Sequence, residues 1–123
     1  MKRRVVTIAN SGLPYPVRCS GDVISQVEIP GVPLGLFAGS TYDEIAFDLV
    51  PGDVYVFCSD GVYDATDGRG REFGYERLLK VVAETRHRPS REIVDAIFTA
   101  VQEFRGDTAP NDDMTAVAVR MTS

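Results

Sequence analysis

The stretch Val54-Tyr55-Val56-Phe57-Cys58 constrains this chain more than any other. It is apolar at every position, on both faces of an extended backbone. A strand of that kind belongs inside a sheet with cover on both sides. Pro51-Gly52-Asp53 before it is a tight-turn signal, and Ser59-Asp60-Gly61 ends it abruptly.

The other strand signals are weaker and cluster in the first half. Residues 5–10 form a β-branched run that stops at Ser11-Gly12. Residues 15–19 follow a proline and end at Ser20-Gly21-Asp22. Val23, Ser25, Val27 and Ile29 alternate with Ile24, Gln26 and Glu28, the period of a half-buried strand. Gly31-Val32-Pro33-Leu34-Gly35 is too rich in proline and glycine for a regular element. Ile45, Phe47 and Leu49 alternate again.

The period then changes. Tyr75, Leu78, Leu79 and Val82 share one face of a helix over 75–85. Ser90 is the expected N-cap of a second helix, with Glu92 in its first turn. Ile93, Ala96, Ile97, Ala100, Val101 and Phe104 are its apolar stripe, and Arg105-Gly106 its end. A last strand over 115–121 alternates Val117, Val119 and Met121 with Ala116, Ala118 and Arg120. Strands grouped ahead of helices predict an α+β fold with an antiparallel sheet.

At 123 residues and 44% hydrophobic content, the chain can bury a core without disulfides. Cys19 and Cys58 read as small core hydrophobes. A net charge of −5 leaves no electrostatic footprint for nucleic acid or anionic membrane. No apolar run approaches the ~20 residues of a membrane span, and the N-terminus does not read as a signal peptide, so the expected compartment is the cytoplasm.

Chemistry concentrates at two strand ends. Asp60-Gly61 follows the apolar strand directly, which fixes the carboxylate and lets another group approach the glycine closely. Taken alone, Asp-Gly is also a common turn pair. Asn111-Asp112-Asp113-Met114-Thr115 precedes the last strand. Adjacent carboxylates repel unless solvent screens them or a cation joins them. Met114, turned inward, would hold them in place. Hard oxygen donors without Cys or His partners suit Mg²⁺ or Mn²⁺. The single histidine, His87, sits among charged residues between the helices and reads as a solvated loop residue. That leaves a Ser-His-Asp or Cys-His nucleophile system without its base. Gly68-Arg69-Gly70 reads as a turn, not a phosphate cradle.

Taken in order, these stretches resemble the C-terminal half of the metal-dependent protein serine/threonine phosphatases of the protein phosphatase 2C type, in the bacterial branch of stage II sporulation protein E and the sigma-factor regulators. The resemblance rests on residues 7–16, on Gly31-Val32-Pro33-Leu34-Gly35, on residues 49–65, on Phe73-Gly74-Tyr75-Glu76-Arg77-Leu78 and on Asn111-Asp112-Asp113-Met114-Thr115. It implies a β-sandwich flanked by helices in α-β-β-α layers. It also implies two Mn²⁺ or Mg²⁺ ions whose bridging hydroxide attacks phosphoserine or phosphothreonine. By position, Asp60 and Asp112 would be metal ligands and catalytic residues, and Gly61 would give close backbone approach. Asp113 would be an additional ligand or a group behind the first, the two aspartates being interchangeable by one residue in the alignment.

The resemblance also implies something missing. The family's domain begins with a Gly-Asp pair and an Asp-x-Ser-Gly-His-Gly stretch, which has no counterpart among residues 1–123. Leu13 stands where the family often has histidine. The chain is therefore expected to be a single partial domain with half of a metal site, inactive by itself, acting in its complete form on a phosphoprotein such as an anti-sigma antagonist. It would pair with a second copy through its exposed sheet edge or rearrange that edge. The alternative is a non-catalytic phosphatase-like module that binds a regulatory protein. A small acidic cation-binding domain of other origin would leave the Pro-Leu-Gly and Pro-Gly-Asp stretches to coincidence.

Overall fold

The computed structural model describes residues 4–9, 13–28, 44–110 and 112–122. The order of elements is β1 (Val5–Ala9), β2 (Val17–Ser20), β3 (Val23–Gln26), β4 (Glu44–Asp48), β5 (Val54–Cys58), α1 (Asp60–Tyr63), α2 (Gly74–Thr85), α3 (Ser90–Arg105) and β6 (Ala116–Arg120). Every strand pairing is antiparallel. Four strands form one sheet in the order β3-β2-β5-β6, and β1 and β4 form a two-stranded second sheet. The α+β expectation holds. The segments 10–12 and 29–43, which include the Gly31–Gly35 loop, and Asn111 lie outside the described residues.

Strand β5 is the centre of the larger sheet, as its sequence requires. Its even face, Val54, Val56 and Cys58, is buried against α2 and α3. Those helices present Leu78, Val82, Ile93, Ile97 and Val101, all fully buried. Each such side chain stabilises by about 1.5–3 kcal/mol. Phe73 and Phe104 meet edge to face at 5.6 Å and close the helical end of this core. Cys19 and Cys58 are buried free thiols in the same cluster.

Among the described residues the odd face of β5 is covered only in part, short of the expected cover on both sides. Tyr55 is 1% exposed beneath Ile8, Val6, Ile45 and Phe47 of the small sheet. Phe57, two residues on, is 37% exposed because the β1-β4 pair does not reach over it. Val117 and Val119 of β6, on the same side, are 47% and 38% exposed. The inward face of β6 is instead Ala116 and Ala118, small residues that let the core cluster pack closely on the strand. In β3 the phase also differs from the simple alternation: Val23 is exposed, Ile24 packs on the helical core, and Val27 packs beneath the small sheet. The described residues thus supply one helical layer and two sheet layers.

Turns and ends follow residue chemistry. Gly52 adopts φ 95°, which closes the Pro51-Gly52-Asp53 turn. Buried Asp53 takes Arg18 Nη2 at 3.4 Å, Arg18 Nε donates to the Tyr55 hydroxyl at 3.2 Å, and the guanidinium lies 4.2 Å over the Phe47 ring. This cluster joins the two sheets. Gly68-Arg69-Gly70 is a turn: the Asp67 carboxylate accepts the Arg69 and Arg71 amides, each at 2.9 Å. Helix α3 begins at Ser90 itself, so Ser90 is not the N-cap; Pro89 stands there, and its carbonyl accepts the first helical bonds. Gly106 ends α3 as expected. Arg120 of β6 donates to the Arg86 and Arg88 carbonyls, which ties the sheet to the α2–α3 connection.

Candidate functional site

Strand β5 leads straight into α1, so Asp60 stands at the first position of a single helical turn rather than in a reverse turn. The Asp112-Asp113 segment runs in on the other side, just before β6. Two observations bring them together. Ser59 N–H donates to the Thr115 carbonyl at 2.9 Å, one step beyond the last ladder pair, Cys58 and Ala116. A Cβ placed on buried Gly61 would lie 2.0 Å from the Asp113 carbonyl oxygen and 3.3 Å from that of Asp112. Only glycine permits that approach.

Asp60, Asp112 and Asp113 are exposed, while Gly61 beneath them is buried. The Asp112 carboxylate accepts the Asp113 amide at 2.8 Å, which orients it. Met114 packs against the helical core, so the strand start after the aspartates is anchored. Carboxylate oxygens fit Mg²⁺ or Mn²⁺ in kind. In number they fall short: among the described residues no three His, Cys, Asp or Glu side chains converge on one point. These residues can supply part of a coordination shell, not all of it.

Other nucleophiles are poorly placed. Burial pushes the Cys58 thiol up to about 12. His87 is exposed, as expected of a loop histidine. The Tyr63 and Tyr75 rings stack at 6.5 Å in the packing behind α1, and burial raises both hydroxyls, that of Tyr75 to about 12. Sequence reasoning missed Ser59, whose side chain accepts a bond from the Thr115 amide; a serine bonding across 56 residues has no local signal. A cavity of about 400 Å³ lined by Leu13, Pro14, Phe57, Ser59, Thr115 and Val117 opens beside this junction, continuous with the uncovered part of the sheet.

The fold is that of the PP2C phosphatase domains. The chain resembles the SiaA PP2C domain of Pseudomonas aeruginosa at TM-score 0.81 and 24% identity, covering 96% of this chain and 47% of that one. It resembles the phosphatase domain of the cell fate determinant SpoIIE from Bacillus subtilis at TM-score 0.75 and 21% identity, with 96% and 50% coverage. A Mycobacterium tuberculosis protein containing RsbU and RsbW domains gives TM-score 0.79 at 21% identity, covering 98% of this chain and 34% of that one. The chain therefore spans about half or less of these solved relatives. No curated protein matches it in sequence. The model of the stage II sporulation protein E (SpoIIE) family matches residues 1–122, and the chain belongs to that family.

Proposed function

We propose that this chain is the C-terminal portion of a single metal-dependent protein serine/threonine phosphatase domain. Its substrate class is a phosphoserine or phosphothreonine on a cytoplasmic regulatory protein, such as an anti-sigma antagonist. The observation that carries the reading is the Gly61–Asp113 contact, which sets the Asp60 turn and the Asp112-Asp113 turn against each other. Similarity to SpoIIE, described as a cell fate determinant, and to an RsbU-containing protein supports a regulatory substrate.

Asp60 and Asp112 are the proposed ligands, with Asp113 as an additional one. Bound Mn²⁺ or Mg²⁺ would lower the pKa of a bound water and neutralise charge on the phosphate. The residues of this chain would hold their share of the cation shell at one junction: Asp60 at the end of β5, Asp112 oriented by its bond to the Asp113 amide. With fewer than three convergent ligands among the described residues, the chain alone is expected to be inactive.

The test is Mn²⁺-dependent hydrolysis of p-nitrophenyl phosphate by this chain and by a version extended through the upstream coding sequence. Activity in the extended protein, lost in Asp60→Asn, is expected. An extended protein inert with both Mn²⁺ and Mg²⁺ would overturn the phosphatase reading. The second reading is a non-catalytic phosphatase-like module, favoured by the exposed Phe57 and Val117 beside the site. Such a module would bind its regulatory partner equally well with Asp60→Asn and without divalent cation.

A further inference from the structure

Ser59 occupies the N-cap position of α1 with the extended backbone of a cap, φ −76° and ψ 167°, yet its side chain makes no bond to its own helix. A serine there ordinarily accepts an amide from the second or third helical residue. The Ser59 Oγ instead accepts the Thr115 amide at 2.9 Å, while the Ser59 amide donates to the Thr115 carbonyl, also at 2.9 Å. One residue thus makes both bonds to Thr115 at the point where the β5–β6 ladder has ended. On one side of this pair lies Asp60. On the other lie Met114 and the Asp113 carbonyl that presses on Gly61. The hydroxyl has been withdrawn from capping and used to close the two motifs on each other.

We infer that Ser59 is a positioning residue: it latches the Asp112-Asp113 turn onto the start of α1 and so keeps the carboxylates of Asp60 and Asp112 on one site. The latch itself is a property of the fold, and its consequence for cation binding rests on the reading proposed above. Neither backbone bond nor ladder needs a hydroxyl at position 59, so the side chain can be tested separately from the strand pairing.

The experiment compares the 123-residue chain with Ser59→Ala and Ser59→Thr by amide hydrogen exchange and by electron paramagnetic resonance titration with Mn²⁺. Loss of one hydrogen bond corresponds to a change of up to roughly tenfold in a local opening equilibrium. In Ser59→Ala the Thr115 amide should exchange about tenfold faster, while amides inside the β5–β6 ladder stay within about twofold of the parent. Mn²⁺ binding should weaken by roughly three- to tenfold. Ser59→Thr keeps the hydroxyl and should match the parent in both readings. Unchanged Thr115 exchange in a folded Ser59→Ala, or a Ser59→Thr protein as fast as that expected for alanine, overturns the latch. Should the alanine variant not fold, the threonine variant still decides. If the parent binds no Mn²⁺ while Thr115 exchange responds as expected, the latch stands, and the cation reading is decided by Mn²⁺ binding in the extended protein, whose failure to bind would overturn it. If Mn²⁺ binds and Ser59→Ala changes neither reading, the latch fails and the cation reading stands.

Discussion

The two faces of the four-stranded sheet are made of similar residues and have different fates. On one, Val17, Val54, Val56 and Cys58 lie under two amphipathic helices and are buried throughout. On the other, among the described residues, cover stops after Tyr55; Phe57, Val117 and Val119 are exposed, the first two beside the carboxylate junction. Apolar content permits a core; whether a given side chain joins it depends on which element lies above. The finished face holds the molecule together.

The largest expected effect breaks the finished face. Leu78→Ala or Ile97→Ala should cost about 2–5 kcal/mol in denaturant unfolding, whereas Val119→Thr on the open face should cost under about 1 kcal/mol. Equal losses would mean that the open face is covered after all. Next comes Gly61→Ala. A methyl 2.0 Å from the Asp113 carbonyl must push the acidic turn away, at about 1–3 kcal/mol, with loss of Mn²⁺ binding beyond the stability change. Full retention of both would remove the contact on which the site rests. Arg18→Ala strands Asp53, which is 3% exposed, and should cost about 1–3 kcal/mol; no change would show that the small sheet is held by Tyr55 and its apolar neighbours alone. The smallest effect sharpens the contrast. Among the described residues β6 is a sheet edge, and we propose that it pairs with a second copy. Val119→Lys should then leave thermal stability nearly unchanged and abolish concentration-dependent association in sedimentation equilibrium.

Much of this was legible in the residues. The all-apolar Val54–Cys58 run could only be a central strand, and the stripes of α2 and α3 have helical period with no competing reading. Gly61 was marked for close approach, and the structure puts the Asp113 carbonyl there. Phase was not legible in β6, because Ala116, Val117, Ala118 and Val119 are apolar on both parities and only packing selects the alanines for the inside. The Ser90 cap failed for a nearby reason: the Pro89 carbonyl starts the helix one residue earlier than the side-chain signal indicates. Arg18 with Asp53, and Ser59 with Thr115, join residues 35 and 56 positions apart. Such pairs exist only once the sheet has formed.

The central claim is that the Asp60 turn and the Asp112-Asp113 turn form one cation site. Mn²⁺-induced paramagnetic broadening of backbone amide signals tests it in a single titration of the 123-residue chain. Broadening of Gly61 and Thr115 together at the lowest Mn²⁺ concentrations, absent in Asp60→Asn, is the predicted result. Broadening that begins elsewhere, such as along the acidic groove of Glu84, Glu92 and Asp95 between α2 and α3, or that persists unchanged in Asp60→Asn, would contradict it.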